Sequence, residues 1–510
     1  MIKRALISVT DKTGVVEFAK GLSELGYEIV STGNTFKVLK EEVENVIRID
    51  DVTKFPEILD GRVKTLNPYI HGGILYKREN EDHVNTVKEL GINPIDIVVV
   101  NLYDFEGTLK SGKSHDEIIE NIDIGGPSMI RSAAKNYKDV AIVVDPEDYE
   151  FIIDRLKEGT LDEAARRKLA YKAFSVTGRY DSLISNYFRE IVGDRYPKIF
   201  NMSFQKEKVL RYGENSHQKG LLYVDKNAKN PILNFEQLNG KEISYNNIND
   251  LHGCLELMRE FKDTDKVVSV AIKHANACGV AIGDTVLEAY TKCFEADPVS
   301  IFGGIVGINA KIDKETATKL AQIFLEIVVA YDYDEEAIEI LKQKKNLRVL
   351  KIDKITDSLQ PFEMKYLDGK LLVQDRNTEL FEKTEVVTKV APTEQELKDL
   401  EFGMKIAKHL KSNAIAIVKN GQTLALGAGQ TSRIWALRNA VEVNSDKDFK
   451  GAVLASDAFF PFDDCVTFAG EHGITAVAQP GGSIKDKDSI EACDKLGMSM
   501  IFTGYRHFKH

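Results

Sequence analysis

Two short segments bring hydroxyls, glycine and lysine together: Ser8-Val9-Thr10-Asp11-Lys12-Thr13-Gly14 and Ser31-Thr32-Gly33-Asn34-Thr35. Each follows an apolar run and precedes a helical pattern, so each reads as a strand-to-helix turn. Free N–H groups at helix N-termini, joined by side-chain hydroxyls, suit a phosphate. Gly61-Arg62-Val63-Lys64-Thr65 adds two cations to such a site. Further on, Asp123 stands before the turn Gly125-Gly126-Pro127, whose glycines let backbone approach a ligand. Lys135 lies in Ser132-Ala133-Ala134-Lys135-Asn136, where a long side chain among small ones can reach into a cleft. In the second half Lys273 and His274 are adjacent. Imidazole is the common side chain that is both neutral and basic near pH 7.

One pattern points elsewhere. Gly107-Thr108-Leu109-Lys110-Ser111-Gly112-Lys113-Ser114 fits a P-loop literally, and Ala141-Ile142-Val143-Val144-Asp145 imitates the strand that ends in a Mg²⁺-binding aspartate. A P-loop must leave its strand directly and open a helix, so that N–H groups wrap the phosphates. Here the apolar strand ends at Val100, and the acidic Asp104 and Glu106 intervene. The segment reads as a solvated loop ahead of a helix over 116–121. Mg²⁺-dependent triphosphatase chemistry through Lys113 is the lesser alternative.

These residues need elements to hold them. Ala5–Val9 and Tyr27–Val30 read as strands, each followed by a helix, and Ile97–Val100 and Ala141–Val144 are continuous apolar runs. Such runs mark strands covered on both faces, and strand–helix alternation implies a parallel α/β sheet. Residues 151–190 read as helical, and Asp194-Arg195-Tyr196-Pro197 breaks the pattern, which puts a domain boundary near 199. The remainder is α/β again and holds an internal echo. Val270–His274 turns into Gly279–Gly283, and Ala414–Lys419 turns into Leu424–Gly429. That predicts two similar subdomains within 200–510, divided somewhere in 340–395.

Composition bounds the rest. The 510 residues carry 68 Lys+Arg against 79 Asp+Glu, a net charge of −11, which argues against a nucleic-acid or anionic-membrane binder. Apolar residues make up 43%, enough for more than one core. Cys254, Cys278, Cys293, Cys465 and Cys493 form an odd set without a C-x-x-C pair, against a zinc ribbon or a disulfide framework. The opening residues do not read as a secretory leader, and no stretch approaches a membrane span. A cytoplasmic protein without a membrane or nucleic-acid partner is expected.

In order along the chain, S-V-T-D-K-T-G, S-T-G-N-T, G-R-V-K-T-L-N-P-Y-I-H-G-G-I-L, N-L-Y and I-D-I-G-G-P-S-M-I-R-S-A-A-K-N resemble the IMP cyclohydrolase half of the AICAR transformylase/IMP cyclohydrolase family. The resemblance continues through Arg211–Gln218, Lys273–Gly279, Asp297–Gly304, Ser412-Asn413, Gly427–Arg433, Ser456–Phe462 and Arg506–His510, so it spans the whole chain. Asp104, Ser216, Ala277 and Tyr331 stand where the family has proline, and Thr431 where it commonly has methionine. Losing the proline at Ala277 is expected to relax the loop beside His274.

The resemblance implies a methylglyoxal-synthase-like parallel-sheet domain (1–199) and a transformylase region (200–510) of two cytidine-deaminase-like α/β subdomains. It implies formyl transfer from 10-formyltetrahydrofolate to AICAR, then dehydrative closure of formyl-AICAR to inosine monophosphate. Lys273 and His274 would serve the transfer. For the closure, Lys64 and Tyr103 would position and stabilise the oxyanion, Asp123 accept a proton and Lys135 donate one. Ser8, Asp11, Lys12, Thr13, Ser31, Thr32, Gly33, Thr35, Arg62, Thr65, Asn101 and Gly125 would bind the cyclohydrolase substrate. Arg211, Tyr212, Asn276, Gly303, Asn413 and Arg433 would hold AICAR, and Ile434, Phe459, Asp464, Ser483, Ile484 and Arg506 the folate. The family further implies a homodimer and a potassium ion, with Asp457 its candidate ligand, and no redox cofactor. A regulatory purine-nucleotide binder that kept the folds and lost catalysis is the other alternative.

Overall fold

A computed structural model describes residues 2–510. The chain divides into two compact units, the first ending at Phe204 and the second running Gln205–His510.

In the first unit β1 (Lys3–Ser8), β2 (Tyr27–Ser31), β3 (Val46–Arg48), β4 (Ile97–Val100) and β5 (Ala141–Val143) form one parallel sheet, ordered β3-β2-β1-β4-β5. Helices pack on it, which is why Leu6, Ile7, Val98 and Ile142 are fully buried and the strands read as unbroken apolar runs. The strand order reverses between β1 and β4. At such a switch point the loops leaving the carboxyl ends diverge and open a crevice. The helical stretch foreseen over 151–190 is two helices, Tyr149–Lys157 and Glu163–Val192, parted at Gly159 (φ +69°) and restarted by the Asp162 cap on the Ala165 N–H at 2.8 Å.

The second unit opens with the hairpin β6 (Gln205–Leu210) and β7 (Gly220–Val224). A mixed twelve-stranded sheet follows. One half holds β8 (Phe235–Asn239), β9 (Val267–Lys273), β10 (Asn276–Gly283), β11 (Ile305–Ile312), β12 (Ile327–Tyr333) and β13 (Arg348–Ile352). After a separate hairpin, β14 (Phe362–Leu367) and β15 (Lys370–Asp375), the other half holds β16 (Glu385–Val386), β17 (Ile415–Lys419), β18 (Gln422–Gly427), β19 (Val453–Ser456), β20 (Ala476–Gln479) and β21 (Ser499–Phe502).

The spatial order β16-β21-β20-β19-β17-β18-β10-β9-β11-β12-β13-β8 reads the same from either end once β8–β13 are matched to β16–β21. Each half has an edge strand, a helix, a hairpin, and three further strands, parallel to one another, connected by helices. The faint echo in sequence is thus a full structural repeat. Each hairpin's second strand also ends on glycine beneath the fourth residue of the next helix. A Cβ on Gly283 would meet the Ala289 nitrogen at 2.6 Å, and one on Gly427 the Ala436 oxygen at 2.1 Å. The halves join through antiparallel β10–β18, so they share one sheet rather than standing as separate bodies.

Candidate active sites

The carboxyl end of β1 carries the first turn, and Asn101, at the end of β4, ties it down. Its Oδ1 accepts the N–H groups of Thr10 (2.5 Å) and Asp11 (3.0 Å), and its Nδ2 donates to the Asp11 carbonyl at 2.8 Å. Asp11 in turn accepts the Thr13 N–H and hydroxyl at 2.9 and 2.7 Å. Ser8 and Thr32 hydroxyls meet at 2.8 Å, joining the β1 and β2 turns. Thr35 donates to the Val9 carbonyl, and Ser31 to that of Ile7, both at 2.8 Å. Gly33, at φ +43°, opens the helix Gly33–Glu42. Hydroxyls and helix starts therefore gather at this end of the sheet, where Lys12 Nζ donates to the Thr10 carbonyl at 3.2 Å.

Asp123 lies beside the same edge, just before the helix Gly125–Lys135. Its Oδ1 accepts the Gly126 N–H at 2.8 Å. Burial pushes its carboxyl up, opposed by the N–H groups of Gly126 and Tyr103 and by the Lys64 charge. Those relations put Asp123, Lys64 and Tyr103 together. Thr65, buried, comes so near Gly125 that a Cβ there would meet its hydroxyl at 2.5 Å.

Two expected members stand apart. Lys135 is exposed at the far end of the helix that Asp123 precedes, some 15 Å away at 1.5 Å per residue. It lines a different cavity of about 760 Å³, with Arg131, Arg167, Tyr171 and Phe174. Arg62 spends its guanidinium on Glu120. The P-loop reading fails outright. Phe105–Lys110 is helical, Asp104 caps it on the Gly107 N–H at 2.8 Å, and Ser114 caps the next helix, His115–Glu120. Asp145 caps Pro146–Asp148 and pairs with Lys172.

In the second unit His274 occupies a two-residue turn between β9 and β10, with Lys273 opposite Asn276. The loop expected there does not exist. Ala277, though not proline, is buried in β10 opposite Ile272. Lys273 Nζ donates to the Phe302 carbonyl at 2.8 Å, next to Gly303 (φ +72°). Asn276 Oδ1 accepts the Lys411 N–H at 3.2 Å, which brings in Ser412 and Asn413. Lys273, His274, Asn276, Asp297, Ser300 and Gln430 line a cavity of about 360 Å³ between the two halves of the sheet. The helix Tyr245–Arg259 organises its mouth. Asp250 accepts the Ala275 N–H at 2.7 Å, and one turn earlier Asn246 donates to the Glu214 carbonyl at 3.1 Å. The Arg211–Gln218 loop, with Arg211 stacked 5.6 Å over Tyr212, thus rides the same helix face as His274.

Arg433, expected on AICAR, is buried and paired with Asp457; its Nη2 holds Asn413 Oδ1 at 2.7 Å. Its guanidinium is spent on orienting Asn413. Asp457 is also buried, with Oδ2 accepting the Ser412 hydroxyl at 2.5 Å. Its charge is matched by Arg433. Of the expected folate residues, Phe459, Ser483, Ile484 and Arg506 sit on loops at the carboxyl ends of β19, β20 and β21, Asp464 opens the helix Asp464–Glu471, and Ile434 lies in the helix Arg433–Val443. Phe459 and Ile484 are exposed there, while Arg506 stacks on Phe508 at 4.9 Å.

The AICARFT/IMPCHase bienzyme model matches residues 133–443, and that of the MGS-like domain residues 14–128. The bifunctional purine biosynthesis protein PurH of Clostridioides difficile (strain 630) is 74% identical over 510 residues, covering 100% of both chains. The chain belongs to the AICARFT/IMPCHase bienzyme family. PurH of Clostridium botulinum (strain Okra / Type B1) is 54% identical over 511 residues, again across 100% of both chains. A solved structure described as the crystal structure of ForH matches 37% of this chain and 100% of its own, at 34% identity and a TM-score of 0.33.

The bienzyme's ordered motifs are what made its sites legible. Residues outside them were missed. Tyr180, in the helix Glu163–Val192, accepts the Asp123 N–H at 2.8 Å and donates to the Asn121 carbonyl at 3.0 Å. Asp250 lies in no recognised motif, and only its match to Asp399 in the repeat marks it.

Proposed function

We propose that the chain carries out both reactions of its family, one in each unit. Residues 1–199 are read as the cyclohydrolase domain and 200–510 as the transformylase domain. One observation supports this best: each unit holds its own candidate base, Asp123 against Lys64 in the first and His274 at a cavity mouth in the second.

In the transfer, the 5-amino group of AICAR attacks the formyl carbon of 10-formyltetrahydrofolate. His274 takes the amine proton as the C–N bond forms, and Lys273 donates to the tetrahedral oxyanion. Collapse breaks the bond to N10 of the folate, which leaves with a proton. Asn276, Asn413 and Gly303 hold the nucleotide, Arg211 and Tyr212 reach it from their loop, and Phe459 and Ile484 flank the pterin. Arg433 acts by fixing Asn413.

In the closure, the carboxamide nitrogen attacks the formyl carbon of the same molecule, and water leaves. Alignment supplies much of the acceleration, up to about 7–11 kcal/mol. The Ser8–Thr13 and Ser31–Thr35 turns take the phosphate, Asp123 accepts the amide proton, and Lys64 with Tyr103 stabilises the oxyanion. Lys135 would donate to departing hydroxide, a role that its distance within one chain leaves to a rearrangement or to a second copy in a homodimer. The reading places the protein in the cytoplasm.

The test is one assay of the full chain with AICAR and 10-formyltetrahydrofolate. Inosine monophosphate is expected, absent in His274→Ala and restored there by formyl-AICAR. Neither tetrahydrofolate nor inosine monophosphate from the unaltered chain would sink the reading.

A further inference from the structure

The two halves of the large sheet build the same two-residue hairpin turn from different residues. In the second half Asn420 and Gly421 occupy it at φ +51° and +69°, the residue types most at ease there. In the first half His274 and Ala275 take φ +52° and +58°. Histidine tolerates the left-handed region better than most residues. Alanine does not, because its Cβ crowds the following carbonyl. The first turn is therefore strained where the second is not. Such strain persists only where the surroundings hold it.

Both turns are held alike, by an aspartate at the sixth position of the preceding helix. Asp399, in Glu394–Ala407, accepts the N–H groups of Asn420 and Gly421 at 2.8 and 2.7 Å. Asp250, in Tyr245–Arg259, accepts that of Ala275 at 2.7 Å and also that of His274. Asn-Gly would form its turn without help. His-Ala would not. The support is dispensable in one half and required in the other, and only the turn that requires it lines the cavity.

We infer that Asp250 is a positioning residue for formyl transfer, holding the strained His274–Ala275 turn so that the imidazole stays at the cavity mouth. This rests on His274 serving that transfer, as proposed above. Asp250 touches no reacting atom; it acts through backbone N–H groups.

The experiment measures kcat and KM for transformylation in full-length Asp250→Ala, Ala275→Gly, the double variant, Asp399→Ala and His274→Ala, with thermal melts of each. A base displaced by about an ångström costs up to ~100-fold in rate. Asp250→Ala is expected to lose ~10- to 100-fold in kcat with KM nearly unchanged. Glycine at 275 removes the strain, so the double variant should match Ala275→Gly, and Asp399→Ala should match the unaltered chain. Full activity in Asp250→Ala, a double variant as slow as Asp250→Ala, or an equal loss in Asp399→Ala would each overturn the inference. Should Asp250→Ala fail to fold, the double variant against Ala275→Gly decides: equal rates uphold it, and an inactive or unfolded double overturns it. Full activity in His274→Ala would instead refute the reading of His274 itself.

Discussion

Asp123 illustrates how burial prepares a single carboxyl for base chemistry. Desolvation lifts it, while two N–H groups and Lys64 keep the anion accessible. Asp123→Asn should cut cyclisation of formyl-AICAR by ~10²-fold or more and leave transformylation intact, measured with formyl-AICAR and AICAR separately. The acid limb of cyclisation should lie above the ordinary carboxyl value of 3.8. Glu260 shows the opposite balance. Burial would raise it, but His409 and Lys408 overcome that and hold it down at about 2. Its folded value lies below its ordinary 4.5, so its stabilisation is complete above that pH and fades as pH falls toward 2. Glu260→Gln leaves the buried Lys408 ammonium without its partner at 2.9 Å. It should cost about 3 kcal/mol in denaturant unfolding at pH 7, and the difference should shrink in acid. The cysteines need no such partner. Burial pushes the Cys254 thiol far up, so it should resist alkylation at pH 8 until the protein is denatured.

Between elements, fit is set by small groups at contact points. Gly427 lets the helix Arg433–Val443 lie on β18, and that helix begins with the arginine that orients Asn413. Gly427→Ala should displace the helix, lower stability by about 1–3 kcal/mol and weaken AICAR binding, read by melting and by KM. The corresponding contact in the first unit is polar. The Tyr180 hydroxyl serves both sides of the Asp123 turn, and Tyr180→Phe strands a half-buried N–H and a carbonyl. The expected loss is about 1–3 kcal/mol in stability, with cyclisation slowed more than transformylation.

At the scale of the whole chain, the two units carry separate site residues and separate cores. Lesions should therefore sort by unit. His274→Ala and Asp123→Asn mixed in one tube should together convert AICAR to inosine monophosphate through released formyl-AICAR. Failure of that mixture, with each variant folded, would mean that the intermediate does not pass through solution. The repeat in the second unit offers its own lesson. Duplication produced two equivalent hairpin turns on one sheet, and only the first carries Lys-His beside a cavity.

Much of this was legible in the residues. Apolar runs at Ile97–Val100 and Ala141–Val143 could only be covered strands, because their periodicity leaves no solvated face. Ordered motifs named the family because turn chemistry is local: hydroxyls, glycine and lysine at fixed spacing keep their meaning without the fold. Long-range partners have no such local record. Nothing in the spelling of Arg433 says that Asp457 will claim it, or that Asp250 will reach a turn 25 residues away. The length of the hairpin turn at His274 was hidden too, since register comes from pairing across strands and not from composition. Lys135 is the sharpest case. Its neighbours are small and its type is right, yet helix geometry carries it about three turns from Asp123, because distance along a helix grows with every residue whatever the chemistry of its side chain.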